Sequence, residues 1–106
     1  MRLTHSEISS LIKAISEFIH QQPAELRLYG SRTDIHRRGG DIDLLLILSD
    51  QQLLQKIILQ KHLLLSRIKE LIGDQKIDLK IIHKDEITQD PFLQLIFPNS
   101  ILLKSW

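Results

Sequence analysis

The sequence predicts an α/β or α+β fold, a small mixed sheet of three to four strands with helices packed on it. Three observations carry this expectation. Apolar residues recur at helical spacing in two long stretches, alternate or run on in shorter ones, and are separated by capping residues, Gly and Pro. Periodicity decides because the chain is rich in Leu and Ile and has no Val, so residue type alone separates strand from helix poorly.

Thr4 followed by Glu7 makes a capping box, after which Ile8, Leu11, Ile12, Ile15, Phe18 and Ile19 mark one helical face until Gln21-Gln22-Pro23. Glu25 to Tyr29 alternates weakly and ends at Gly30-Ser31, a short strand running into a turn or helix start. Arg37-Arg38-Gly39-Gly40 reads as a flexible basic loop. From Asp41 to Leu48 the order acid, Ile, acid and then five apolar residues suits a central strand covered on both faces beyond its start. Ser49 with Gln52 offers a second capping box for one long helix, whose apolar face runs from Leu53 to Ile72 and which Gly73-Asp74 closes. Lys76 to Ile82 alternates Ile77, Leu79 and Ile81 against Lys76, Asp78 and Lys80, a half-buried strand with one polar side. Asp90-Pro91 supplies an N-cap and first-turn proline for a short helix over Phe92 to Phe97, and a last apolar segment spans Ile101 to Leu103.

The 106 residues, 42% apolar and 25% charged, match one domain and leave no room for two. Such a chain buries roughly two-thirds of its unfolded surface, enough for a core without staples. Zero Cys excludes disulfides, Cys-ligated zinc, iron–sulfur clusters and thiol catalysis. The start of the chain turns polar too early for a signal peptide and no apolar run suits a bilayer, so the expected location is the cytoplasm, with no membrane partner. A net charge of +1 supplies no global field for nucleic acid, so a phosphate ligand must be held locally.

Chemistry concentrates around Asp41 and Asp43. Two apart on a strand, they leave the same face with Cα atoms about 7 Å apart. Such carboxylates repel, and placing them beside an apolar strand costs several kcal/mol unless a proton, a cation or a metal compensates; hard oxygen donors suit Mg²⁺ or Mn²⁺. Gly30-Ser31 precedes Asp41 by nine intervening residues, and a tight turn with free backbone N–H groups and a hydroxyl can cradle phosphate. Asp78 is the acid on the polar side of another strand; beside the Asp41 strand it would complete a set able to hold two ions about 3.5 to 4 Å apart. Lys80 shares that side and would balance the acids or contact phosphate. His5, His20, His36, His62 and His83 show no compact ligand spacing. Phe92, Phe97 and Trp106 offer either packing for the short helix and tail or a partner or dimer surface.

Leu28-Tyr29-Gly30-Ser31-Arg32, the basic loop, Asp41-Ile42-Asp43-Leu44-Leu45-Leu46 and Ile77-Asp78-Leu79 together resemble the DNA polymerase beta superfamily of nucleotidyltransferases, and most closely the minimal MntA-like antitoxins of HEPN toxins. Thr33-Asp34-Ile35-His36 departs from the small residue and glycine that many minimal members carry there. The resemblance implies a polymerase beta palm-like fold over residues 1–106. It implies that Asp41, Asp43 and Asp78 are the catalytic and metal-binding residues, with Asp78 also helping to deprotonate the acceptor. Gly30, Ser31 and Arg32 would bind the nucleotide, two Mg²⁺ ions would be the cofactor, with Mn²⁺ as the alternative, and ATP would be the substrate. AMP would pass to a hydroxyl of a partner protein, a HEPN ribonuclease toxin, in a homo- or hetero-oligomer. The alternatives are an antitoxin acting by steric capture without turnover, and a nucleotidyltransferase acting on RNA or a small molecule, for which no acceptor domain or basic stripe is evident.

Overall fold

A computed structural model of the chain describes residues 3–30 and 41–106. In chain order these form helix α1 (His5–Ile19), strands β1 (Ala24–Tyr29) and β2 (Asp41–Leu48), helices α2 (Gln51–Leu59) and α3 (Lys61–Ile72), strand β3 (Lys76–His83), a 3-10 turn (Lys84–Thr88), helix α4 (Pro91–Ile96), a second 3-10 turn (Phe97–Asn99) and strand β4 (Ile101–Ser105). The result is a mixed α+β arrangement around an open four-stranded sheet of order β3-β2-β1-β4. β1 pairs antiparallel with both β2 and β4, whereas β2 and β3 are parallel and joined through α2 and α3.

Local chemistry places the elements. Thr4 caps α1 with a full capping box, its hydroxyl accepting from Glu7 N and Glu7 Oε1 accepting from Thr4 N, both at 3.0 Å. The Thr4 expectation therefore holds, but the second box does not. Asp50, not Ser49, is the N-cap of α2, its Oδ1 accepting from Gln52 N at 3.1 Å. The expected long helix is also divided at Gln60 (φ −97°, ψ 9°), because α2 packs on β2 and β3 whereas α3 packs chiefly on α1. Arg67 of α3 ties that second contact at the surface by bridging to Glu17 and Glu70. Asp90 caps α4 by accepting from Phe92 N at 2.8 Å, with Pro91 at the first position. The terminal apolar segment is strand β4, and Trp106 beyond it donates its indole N–H to Ser16 Oγ at 2.9 Å.

Alternation then divides the sheet into two faces. Leu26 and Leu28 of β1, Ile42, Leu44, Leu46 and Leu48 of β2 and Leu79 of β3 form the main core with α1, α2 and α3. On the opposite face Tyr29, Leu45, Ile47 and Ile82 form a smaller cluster with Leu93 of α4, flanked by Ile87, Ile96 and Phe97. This second cover reaches the half of the face near the ends of β2 and β3. Where those strands begin, Asp41 and Asp43 are only partly buried and Asp78 is exposed. Among the described residues, no helix is long and apolar enough to cross a membrane.

Candidate functional site

The parallel register of β2 and β3 pairs Asp41 with Lys76 and Asp43 with Asp78. Since residues two apart share a face, Asp41, Asp43, Asp78 and Lys80 all emerge on the side left open by α4. On the other flank of β2, Tyr29 pairs with Asp43. The three acids expected from the sequence thus lie on one face of two hydrogen-bonded strands, with Asp43 between Tyr29 and Asp78.

Gly30 closes the arrangement from the β1 side. Its φ is +78°, a conformation L side chains avoid, and a Cβ there would collide with Asp43 Oδ2 and lie 3.2 Å from Asp43 Cγ. Backbone and carboxylate therefore approach in a way only glycine permits. Ser31, Arg32 and residues 33–40, including the basic loop, lie outside the described residues.

The electrostatics follow from this placement. The Asp43 carboxyl is pushed above its ordinary value, first by burial and then by the charges of Asp78 and Asp41, with Lys80 opposing. Among the described residues the Asp43 carboxylate accepts no hydrogen bond and forms no ion pair. Asp41 is bridged by Lys76 at 3.7 Å, a surface contact in which the lysine is 77% exposed. The Tyr29 phenol is pushed up to about 12 by burial, Asp78 and Asp43 in that order. Its hydroxyl has no hydrogen-bond partner among the described residues, although Tyr29 is only 6% exposed.

Side chains from other elements complete the rim. Phe92 of α4 meets Tyr29 edge to face, with centroids 6.2 Å apart and planes at 79°, and Lys80 Nζ lies 5.2 Å from the Phe92 centroid. Farther along the same face Arg27 lies 4.4 Å from the Phe97 centroid and bonds Glu25 and Ser100. Phe97 and Trp106 pack against the two cores, whereas Phe92 stays 45% exposed beside the acids. The place of Tyr29 in this cluster escaped sequence reasoning. Alternation put it on one side of its strand, and only the antiparallel register sets that side beside Asp43.

In chemistry the donors are those a hard divalent cation takes, carboxylate oxygens, one of them destabilised by burial and like charge, beside Gly30 and a phenol with no hydrogen-bond partner among the described residues. Among the described residues, the acids are not drawn together into a ready-made group of three ligands. No protein-family model and no curated protein matches the chain.

Proposed function

We propose that the chain is a metal-dependent nucleotidyltransferase that moves AMP from ATP to a hydroxyl of a partner protein, acting as an antitoxin that neutralises a HEPN ribonuclease. The observation that carries this reading is the in-register pair Asp43 and Asp78, with Asp41 on the same face and Gly30 against Asp43. Like charges set side by side cost stability, which Lys80 only partly offsets at Asp43, and a function that requires them accounts for that cost.

Asp41, Asp43 and Asp78 would hold Mg²⁺ or Mn²⁺, which when bound supplies charge stabilisation for the attacking and departing oxygens. Asp78, the most exposed of the three acids by strand position, would accept the proton of the acceptor hydroxyl. That oxygen then bonds to the α-phosphorus as the bond to the β-phosphate oxygen breaks, and pyrophosphate leaves with the electron pair. Gly30 keeps the approach to Asp43 clear, while Ser31 and Arg32 are assigned to the phosphates on the resemblance alone. Positioning and electrostatics supply the acceleration.

The test is to recover proteins that co-purify with the chain, identify them by intact mass, and add α-labelled ATP with Mg²⁺. The expected result is a mass gain of AMP on the partner, lost in Asp43→Asn while the complex survives. Absence of transfer in an intact complex would sink the reading. Full neutralisation by Asp41→Asn and Asp43→Asn chains would favour steric capture instead.

A further inference from the structure

We propose that Lys80 is the cation that receives the phosphate chain of the nucleotide at this site, an assignment that rests on the function proposed above and deepens it. Lys80 follows Asp78 by two positions on β3, so its side chain leaves the sheet on the carboxylate face. Its partner across the ladder is Leu45, two residues beyond Asp43, which sets the ammonium at the inner border of the acidic patch.

What holds that ammonium is a ring, not a carboxylate. Lys80 Nζ lies 5.2 Å from the centroid of Phe92, which is fixed edge to face against Tyr29, the residue opposite Asp43. Among the described residues Lys80 forms no ion pair, although its charge reaches Asp43. Lys76, the other lysine on this face, is engaged by Asp41 at 3.7 Å. Among the described residues, Lys80 is therefore the half-buried lysine of the face that no carboxylate bridges.

A patch of three carboxylates repels a polyphosphate, so an anionic ligand that settles there needs positive charge at the border. A cation resting on a partly exposed ring is held more weakly than one in a charge-assisted hydrogen bond to a phosphate oxygen. The ammonium can thus pass from ring to ligand with a net gain, and the Phe92 ring, 45% exposed, marks where it waits.

Calorimetric titration of the 106-residue chain in Mg²⁺ tests this with α,β-methylene-ATP, inorganic tripolyphosphate and adenosine as probes. Lys80→Met is expected to weaken the two phosphate-bearing probes on the order of tenfold to a hundredfold, leave adenosine unchanged, and be largely rescued in Lys80→Arg. Lys76→Met, which removes a charge from the same face, is expected to weaken them far less. Phe92→Leu keeps the charge but removes the ring that competes with the ligand for it, and is expected to tighten both phosphate probes about two- to fivefold; it serves as the second variant should Lys80→Met fail to fold. Wild-type affinity in Lys80→Met, or an equal loss in Lys76→Met, would overturn the assignment and leave the proposed function standing. A wild-type chain that binds neither phosphate probe would overturn both.

Discussion

Asp43 and Asp78 are direct partners across the parallel ladder of β2 and β3, with side chains on the same face of the sheet. Two acids so placed work against the fold, and the raised proton affinity of Asp43 records first its burial and then that opposition. The remainder of β2 compensates: Leu44, Leu46 and Leu48 are fully buried in the main core, and Leu45 is buried in the smaller one. The start of the central strand is thereby held in place by apolar packing farther along the same strand.

Replacing Asp43 with Asn should separate stability from activity. Because the folded chain binds the Asp43 proton more tightly than the unfolded chain, stability falls as pH rises from the ordinary value of 3.8 through the raised folded value, and stays lowered above it. Asp43→Asn should therefore melt higher than wild type at pH 7. That advantage should vanish below the ordinary carboxylate range, where both forms are neutral, and AMP transfer should be lost throughout. A variant that melts lower than wild type at pH 7 would show that the carboxylate is stabilised by contacts other than those described.

The two glycines with positive φ give a matched comparison. An added Cβ at Gly73 (φ +90°) meets nothing within 4 Å, whereas at Gly30 it meets the Asp43 carboxylate. Gly73→Ala should cost about 1 to 3 kcal/mol from backbone strain alone and spare nucleotide binding. Gly30→Ala should cost more and displace Asp43, abolishing transfer. Urea denaturation and nucleotide titration of the two variants read the difference.

Periodicity and capping made the core strands, the first helix and the Asp90-Pro91 helix start readable from sequence, since each depends on neighbours within a few positions. The same-face placement of Asp41 and Asp43 followed from alternation within one strand. Contact across strands did not: whether Asp78 met Asp43 or another residue turned on the register of two strands joined through α2 and α3. The break at Gln60 carries no Gly or Pro, and arises because the flanking segments answer to different surfaces. Ser49 and Asp50 are adjacent cap candidates. Ser49 offers its carbonyl oxygen to His83 Nε2 at 3.0 Å, and the Asp50 carboxylate takes the cap.

Leu44 and Leu59 should show how unevenly the leucines contribute. Leu44 is fully buried between Leu28 and Leu79 in the ladder, whereas Leu59 is 78% exposed at the end of α2. Leu44→Ala should cost about 2 to 5 kcal/mol and Leu59→Ala no more than about 0.5 kcal/mol. Chemical denaturation measures both; equal losses would mean that Leu59 packs against a surface other than those described.

Tyr29 offers a direct optical reading of the field at the site, because it is the one tyrosine of the sequence and its phenolate absorbance reports on no other residue. Its midpoint should lie near 12 in place of the usual 10. Asp78→Asn should lower it more than Asp43→Asn, following the order of their charges, but the double variant should remain above 10 because burial is the largest cause. The stability consequence has a definite sign. As pH rises from 10 toward 12 the unfolded chain ionises its phenol before the folded chain does, so the native state loses stability across that window. Tyr29→Phe should flatten that decline while wild type shows it. A wild-type midpoint at the ordinary value, unmoved by either Asn substitution, would place the ring outside the field of the carboxylates and remove it from the site.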